Sequence, residues 1–164
     1  MVVLRNILVA ADFEETSGAA LDYGRNLAHS YGSTLHILHA VENVLVRFAA
    51  EGALALLPDL QAAVESDARQ RMEALVTEWD RTTLRAKAVI VTAPEPAGAI
   101  ADYAKEHDID LIVMGTHGRR GFTHMVMGSV AERVVRTAPC PVLTMRHPER
   151  EFVGPDALLA VASA

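Results

Sequence analysis

Short, wholly apolar runs alternate with longer amphipathic stretches along this chain, and that alternation restricts its fold more than any other feature. Asn6 to Asp12 is an apolar run closed by an acid, Thr34 to Val41 carries Leu35, Ile37 and Val41 on one face, and Ile109 to Met114 ends on four apolar residues before a glycine. Leu84 to Thr92 interposes Arg85 and Lys87 before Val89, Ile90 and Val91, and Cys140 to Arg146 is set off by Pro139 and Pro141. Runs this short read as strands, and near-continuous apolar character marks strands buried on both faces. The charges at Arg85 and Lys87 place their strand at a sheet edge, whereas Ile109 to Met114 belongs in the middle.

Helical patterns fill the intervals. Thr16 and Ser17 are expected to cap a helix carrying Leu21, Leu27, Ala28 and Tyr31, which Gly32 and Ser33 stop. Leu57, Leu60, Val64, Ala68, Met72, Leu75 and Trp79 recur at three- and four-residue steps, so they form the core stripe of the longest helix, with Pro58 in its first turn and Glu65, Arg69 and Glu73 facing water. Pro94 and Pro96 lead into a short helix with Ile100 and Ala104, and a last helix runs from about Ser129 to Thr137. Strand and helix alternating in this way give an α/β fold with a parallel sheet. Its ligands bind beyond the carboxyl ends of strands, where the strand order reverses. The ends to inspect are Asp12, Val41, Thr92, Gly115 and Arg146.

The totals narrow the function. A chain of 164 residues, 51% hydrophobic and 22% charged, suits one globular domain. A net charge of −6 without a basic tract gives no footprint for nucleic acid. No apolar run approaches the roughly 20 residues of a membrane helix, and Arg5, Asn6 and Asp12 break up the apolar start, so neither a membrane span nor a signal peptide is expected and the cytoplasm is the expected location. Cys140, the single cysteine, excludes an internal disulfide and a multi-cysteine zinc site and reads as an apolar filler. His117 and His124 lack a neighbouring carboxylate or third histidine, and His36 and His39 point to opposite faces of a strand, so no metal is assigned.

Gly115, Gly118, Gly128 and Ser129 follow the fourth strand and lead directly into a helix. Glycine lets backbone approach an anion closely, and the helix start presents unpaired N–H groups, so a phosphate fits such a loop. A flexible loop with a capped helix shows the same spacing, and the glycines alone do not separate the two readings. The phosphate-binding loop GxxxxGK[ST] is absent for want of its lysine. The dinucleotide fingerprint fails because the first strand-to-helix turn reads Asp12, Phe13, Glu14, Glu15.

The spacing Gly115-x2-Gly118-x9-Gly128-Ser129, together with NILVAADFEETSGAALDYGRNLA before it, DIDLIVMGTHGRRG leading into it and GSVAERVVRTAPCPVLTMR closing it, resembles the universal stress protein family from Asn6 to about Arg146. The resemblance implies a single-domain, Rossmann-like open sheet of five parallel strands in the order 3-2-1-4-5 with helices on both faces. It spans residues 1–147, with 148–164 as a C-terminal tail. It also implies a site for ATP, or for ADP or AMP, with or without magnesium, and a homodimer joined through Val142 to Arg146. Carried over by position, Asp12 meets the adenosine half, the backbone near Val41 reads the adenine edge, and Met114 and Gly115 line the ribose. Gly118, Gly128, Ser129 and Val130 hold the phosphates through backbone donors, with Ser129 adding its side chain. Arg119 and Arg120 in the same loop either screen the phosphate charge or are simply solvated. Ala131 stands where some ATP-binding relatives have threonine. The implied function is an adenine-nucleotide-binding regulatory or stress-response protein with slow or no hydrolysis. A weak ATPase using Asp12 or Glu14, and a nucleotide-free dimeric interaction protein, are the alternatives.

Overall fold

The computed structural model describes residues 2–48, 57–116 and 128–146. Its elements follow one another as β1 (Asn6–Ala10), α1 (Glu15–Tyr31), β2 (Thr34–Glu42), α2 (Val44–Arg47), α3 (Leu57–Leu75), α4 (Glu78–Thr83), β3 (Lys87–Ala93), α5 (Pro96–Glu106), β4 (Leu111–Gly115), α6 (Ser129–Thr137) and β5 (Val142–Met145). All strand pairs are parallel, in the order β3-β2-β1-β4-β5. The order, the edge position of β3 and the interior position of β4 are those expected from the sequence and the family resemblance.

Side chains alternate across the central strands, so one strand feeds two cores. Ile7 and Val9 of β1, Leu35 and Ile37 of β2 and Val113 of β4 pack with Ala20, Leu21 and Ala28 of α1 and Met72 of α3. Leu8 and Ala10, Leu38, and Ile112 and Met114 point the other way, against Ala97, Ile100 and Ala104 of α5 and Ala131 and Val134 of α6. Ile7, Leu8, Val9, Ile112 and Val113 are completely buried. With both faces of the sheet covered, polar residues have no place at Ile7 to Ala10 or Leu111 to Met114, which accounts for the apolar sequence there.

The longest helix differs from its sequence expectation. It ends at Leu75, and Trp79 belongs to α4. A capping box causes the break: the Thr77 hydroxyl accepts the Asp80 amide at 3.1 Å, and Asp80 Oδ2 accepts the Thr77 amide at 2.8 Å. Asp80 is fully buried, and Arg25 of α1 grips it through Nε at 2.8 Å and Nη2 at 2.7 Å while also donating to the Leu75 carbonyl at 3.0 Å. The Arg25 guanidinium and the Thr77 donors hold the Asp80 carboxyl below its ordinary range despite burial. The stripe is corrected as well. Leu57, Ala68 and Met72 are buried with Gln61, but Leu60 and Val64 are exposed, and Glu65 leaves the water-facing side to accept the Thr92 hydroxyl of β3 at 2.8 Å. Leu84, expected in the third strand, instead caps α4 with its side chain in the core.

His36 lies in β2, buried on the α5 face, with Nδ1 2.9 Å from the Tyr103 hydroxyl and with no partner for Nε2 among the described residues. Burial first, then Lys87 and His107, pushes its pKa down to about 4. The unfolded chain therefore binds the extra proton between pH 6.5 and about 4, so His36 contributes stability that is complete above 6.5 and is lost as pH falls towards 4. The ceiling is about 3 kcal/mol. Urea unfolding of the wild type across this window should show that loss, and His36→Phe should remove most of the slope. Equal slopes would show that His36 is not its source.

Candidate functional site

At the carboxyl ends of the central strands lies a cleft of about 1060 Å³, whose wall includes Asp12, Val41, Met114, Gly115, Gly128, Ser129 and Val130. Seven of the nine site residues expected from the sequence thus share one cavity. Gly118 and Arg119, with His117, Arg120 and His124, fall outside the described residues.

The cleft opens where β1 parts from β2. The Ala11 amide still donates to the Leu38 carbonyl at 2.8 Å, but the next rung is missing, and the Ala11 carbonyl accepts from His39 Nδ1 at 2.7 Å instead. A ring nitrogen bonded to a carbonyl must carry the proton, which fixes the His39 tautomer. Peptide groups alternate in direction along a strand. Asn43 donates to Ala93 of β3 at 2.9 Å, so those of Val41 also face β3 while those of Ala40 face the cleft. Among the described residues the Ala40 amide finds no acceptor. The usable peptide edge near Val41 is therefore that of Ala40, and the Val41 side chain is buried.

Asp12 is held by its neighbours. Its amide donates to Ser17 Oγ at 3.1 Å, its Oδ1 accepts the Glu14 amide at 3.0 Å, and the residue lines the cavity. Ser17 thus secures the turn instead of capping α1, whose N-cap is Glu14 without a side-chain bond. Phe13 bends this turn with a φ of +66°, a conformation that a bulky residue keeps only when its surroundings enforce it. They do: its ring lies 4.3 Å from that of His39, and the Arg71 guanidinium sits over it at 5.2 Å.

Gly115 ends β4 with Thr16 of α1 pressed against it. A Cβ there would stand 3.0 Å from Thr16 Cγ2 and 3.3 Å from the Thr16 carbonyl carbon. The Thr116 amide donates to Met145 at 2.7 Å, and its carbonyl accepts the Gly128 amide, which joins the start of α6 to the end of β4. The Gly128 amide is thus engaged by the strand end, while Gly128 itself stays in the wall of the cleft. The first bond inside α6 runs from the Glu132 amide to Gly128 at 2.9 Å, and no side chain caps the helix. Among the described residues, the amides of Ser129, Val130 and Ala131 have no acceptor.

The sequence reading missed several wall residues. Asp67, Glu42 and Glu95 bring carboxylates to the cleft, and Arg133 brings a guanidinium 3.1 Å from Glu95. Arg133 was legible as the residue four positions after Ser129, hence on the same helical face. Glu95, directly before Pro96, was legible as an N-cap: it accepts the Ala97 amide at 3.1 Å and the Gly98 amide at 2.8 Å.

Comparison with known proteins now places the chain. The model of the universal stress protein family matches residues 4–146. The chain belongs to that family. Universal stress protein MJ0531 of Methanocaldococcus jannaschii is 29% identical over 148 residues, which cover 90% of this chain and 85% of the relative. Among solved structures, the universal stress protein UspA from Lactobacillus plantarum superposes with a TM-score of 0.68 at 32% identity, covering 89% of this chain and all of that one. Two more distant structures show the fold alone for this chain but were solved with nucleotides. One is a universal stress protein in complex with cAMP (TM-score 0.56, 21% identity, 88% and 98% covered). The other is the Archaeoglobus fulgidus protein in complex with dAMP (TM-score 0.58, 20% identity, 88% and 99% covered). In this universal stress protein no helix among the described residues is long and apolar enough to cross a membrane.

The contact at Gly115 gives a test of the cleft's construction. Gly115→Ala should force the first turn of α1 away from β4 and destabilise the protein by about 1–3 kcal/mol, the usual range for overpacking. Urea unfolding measures it, and a variant as stable as wild type would mean that Thr16 yields without strain.

Proposed function

We propose that this universal stress protein binds an adenine nucleotide in the cleft between β1 and β4 and acts as a homodimeric regulatory protein with slow or no hydrolysis. The observation that carries the reading is the row of unpaired amides at Ser129, Val130 and Ala131, opening on the cavity at the positive end of α6. Such a row suits phosphate oxygens. The family relatives solved with cAMP and dAMP support an adenine nucleotide as the guest.

In this reading the Ala40 peptide edge meets the adenine, Asp12 Oδ2 accepts a ribose hydroxyl, and Met114 and Gly115 line the sugar. Gly118 and Arg119 extend the phosphate site. Ala131 lacks a hydroxyl for the terminal phosphate, which narrows the margin by which ATP binds over ADP or AMP. Among the described residues no three His, Cys, Asp or Glu side chains are grouped to hold a metal, so any magnesium rides on the nucleotide's own phosphates. Fast phosphoryl transfer needs a positioned base and a cationic clamp. Asp12, the one carboxylate placed at the ribose, is tied into its turn through Oδ1, which supports binding without rapid turnover.

Calorimetric titration with ATP, ADP and AMP tests the proposal. Asp12→Asn keeps the turn's acceptor but removes the charge, and it should weaken all three by about tenfold or more, the worth of a hydrogen bond to a charged group. Undiminished binding removes Asp12 from the site, and no binding by the wild type refutes the reading.

The dimer rests on β5, the end strand of the sheet. Pro141 and Met145 direct their carbonyls to β4, so the alternating peptide groups of Val142 and Thr144 face outward. An exposed strand edge invites pairing, and a two-fold axis satisfies both copies. Thr144→Pro removes an outward donor and spares the β4 ladder. Sedimentation should show a wild-type dimer and a folded monomeric variant. A wild-type monomer at micromolar concentration would exclude the dimer.

A further inference from the structure

Among the described residues, the wall of the cleft carries an imbalance of charge. Asp12, Glu42, Asp67 and Glu95 contribute four carboxylates, and among the described residues of the wall Arg133 is the single arginine or lysine. The described carboxylates oppose a polyphosphate brought to the α6 amides, because like charges repel. Arg133 lies one helical turn beyond Ser129 on the same face of α6, in the same wall, so it is placed to act on whatever anion those amides receive. Without ligand its Nη1 is 3.1 Å from Glu95 Oε1.

Resting on the nucleotide reading above, we propose that Arg133 sets the preference for the number of phosphates, and that Glu95 holds it in reserve. Glu95 has a second duty that makes it a fixed anchor: both of its oxygens accept first-turn amides of α5, at 3.1 and 2.8 Å, so its carboxylate stays in place whether or not Arg133 is bound. The Glu95–Arg133 pair is itself half exposed, with side-chain accessibilities of 41% and 59%, and a solvated pair of this kind is weak. A phosphate in the cleft carries more charge than one carboxylate and presents oxygens in the geometry a guanidinium binds bidentately. Arg133 therefore exchanges Glu95 for phosphate when the ligand is charged enough to compete. Adenosine offers nothing to draw it away, and each added phosphate strengthens the pull. Glu95 raises the threshold for this exchange, which makes the cleft selective for the more highly phosphorylated ligands and counteracts the effect of Ala131.

The test is calorimetric titration of the full chain with adenosine, AMP, ADP and ATP. Affinity of the wild type should rise along the series. Arg133→Gln should lose about tenfold for ATP, less for AMP and nothing for adenosine, so that the series flattens, while Arg133→Lys should recover much of the dependence. Glu95→Gln keeps an acceptor for the α5 amides but frees Arg133, and should tighten ATP severalfold at unchanged adenosine affinity. A bridge that merely held α5 to α6 would predict the opposite: Glu95→Gln would leave or weaken ATP binding, and Arg133→Gln would weaken all four ligands equally. Either result overturns the proposal while leaving nucleotide binding intact. Failure of the wild type to bind any of the four refutes the nucleotide reading itself. Should Arg133→Gln not fold, the sign of the Glu95→Gln effect decides alone.

Discussion

Adjacent parallel strands that send their following helices to opposite faces of a sheet cannot close the space above them, and everything functional in this protein depends on that constraint. The chain leaves β1 for α1 on one face and leaves β4 for α6 on the other, as the two separate cores record. Side chains of the first turn of α1 reach Gly115, and α6 begins beside Thr116. The crevice between them is the reversal point of the order β3-β2-β1-β4-β5, and it exists before any ligand-specific residue is considered.

What a reader of the sequence could see followed from burial. Ile7 to Ala10 and Ile112 to Met114 are apolar because both sides of each strand face a core, and that signal gave the strands, their parallel pairing and the location of the cleft. Less visible were features in which one side chain overrides periodicity. Thr77 and Asp80 interrupt an apolar stripe that otherwise runs unbroken to Trp79, and the Thr-x-x-Asp pattern was the available clue. Ser17 resembled a cap in sequence, but its hydroxyl is engaged by the Asp12 amide from the preceding turn. The engagement of Gly128 with Thr116 was not readable at all, because it depends on how close a strand end comes to a helix start twelve residues later in the chain.

The candidate site divides its work between backbone and side chains in an unequal way. In the proposed reading amides supply the attraction for an anion, whereas the side chains of the described wall are predominantly acidic. Peptide dipoles are fixed by the helix and need no side-chain ordering, so they can receive a ligand without the entropic cost of immobilising long chains. On the proposed assignment, the carboxylates around them would filter what enters. This arrangement suits a protein that reports on a ligand more than one that transforms it.

The strand parting at Ala11 is governed by one imidazole. By taking the carbonyl that Ala40 would otherwise bond, His39 stops the β1–β2 ladder one rung early. A residue lacking a donor there would surrender that oxygen to the peptide beyond, the strands would zip one step further, and the floor of the cavity would rise by a residue. How deep a guest can sit is thus written in a single ring nitrogen, remote from the glycines that announce the loop.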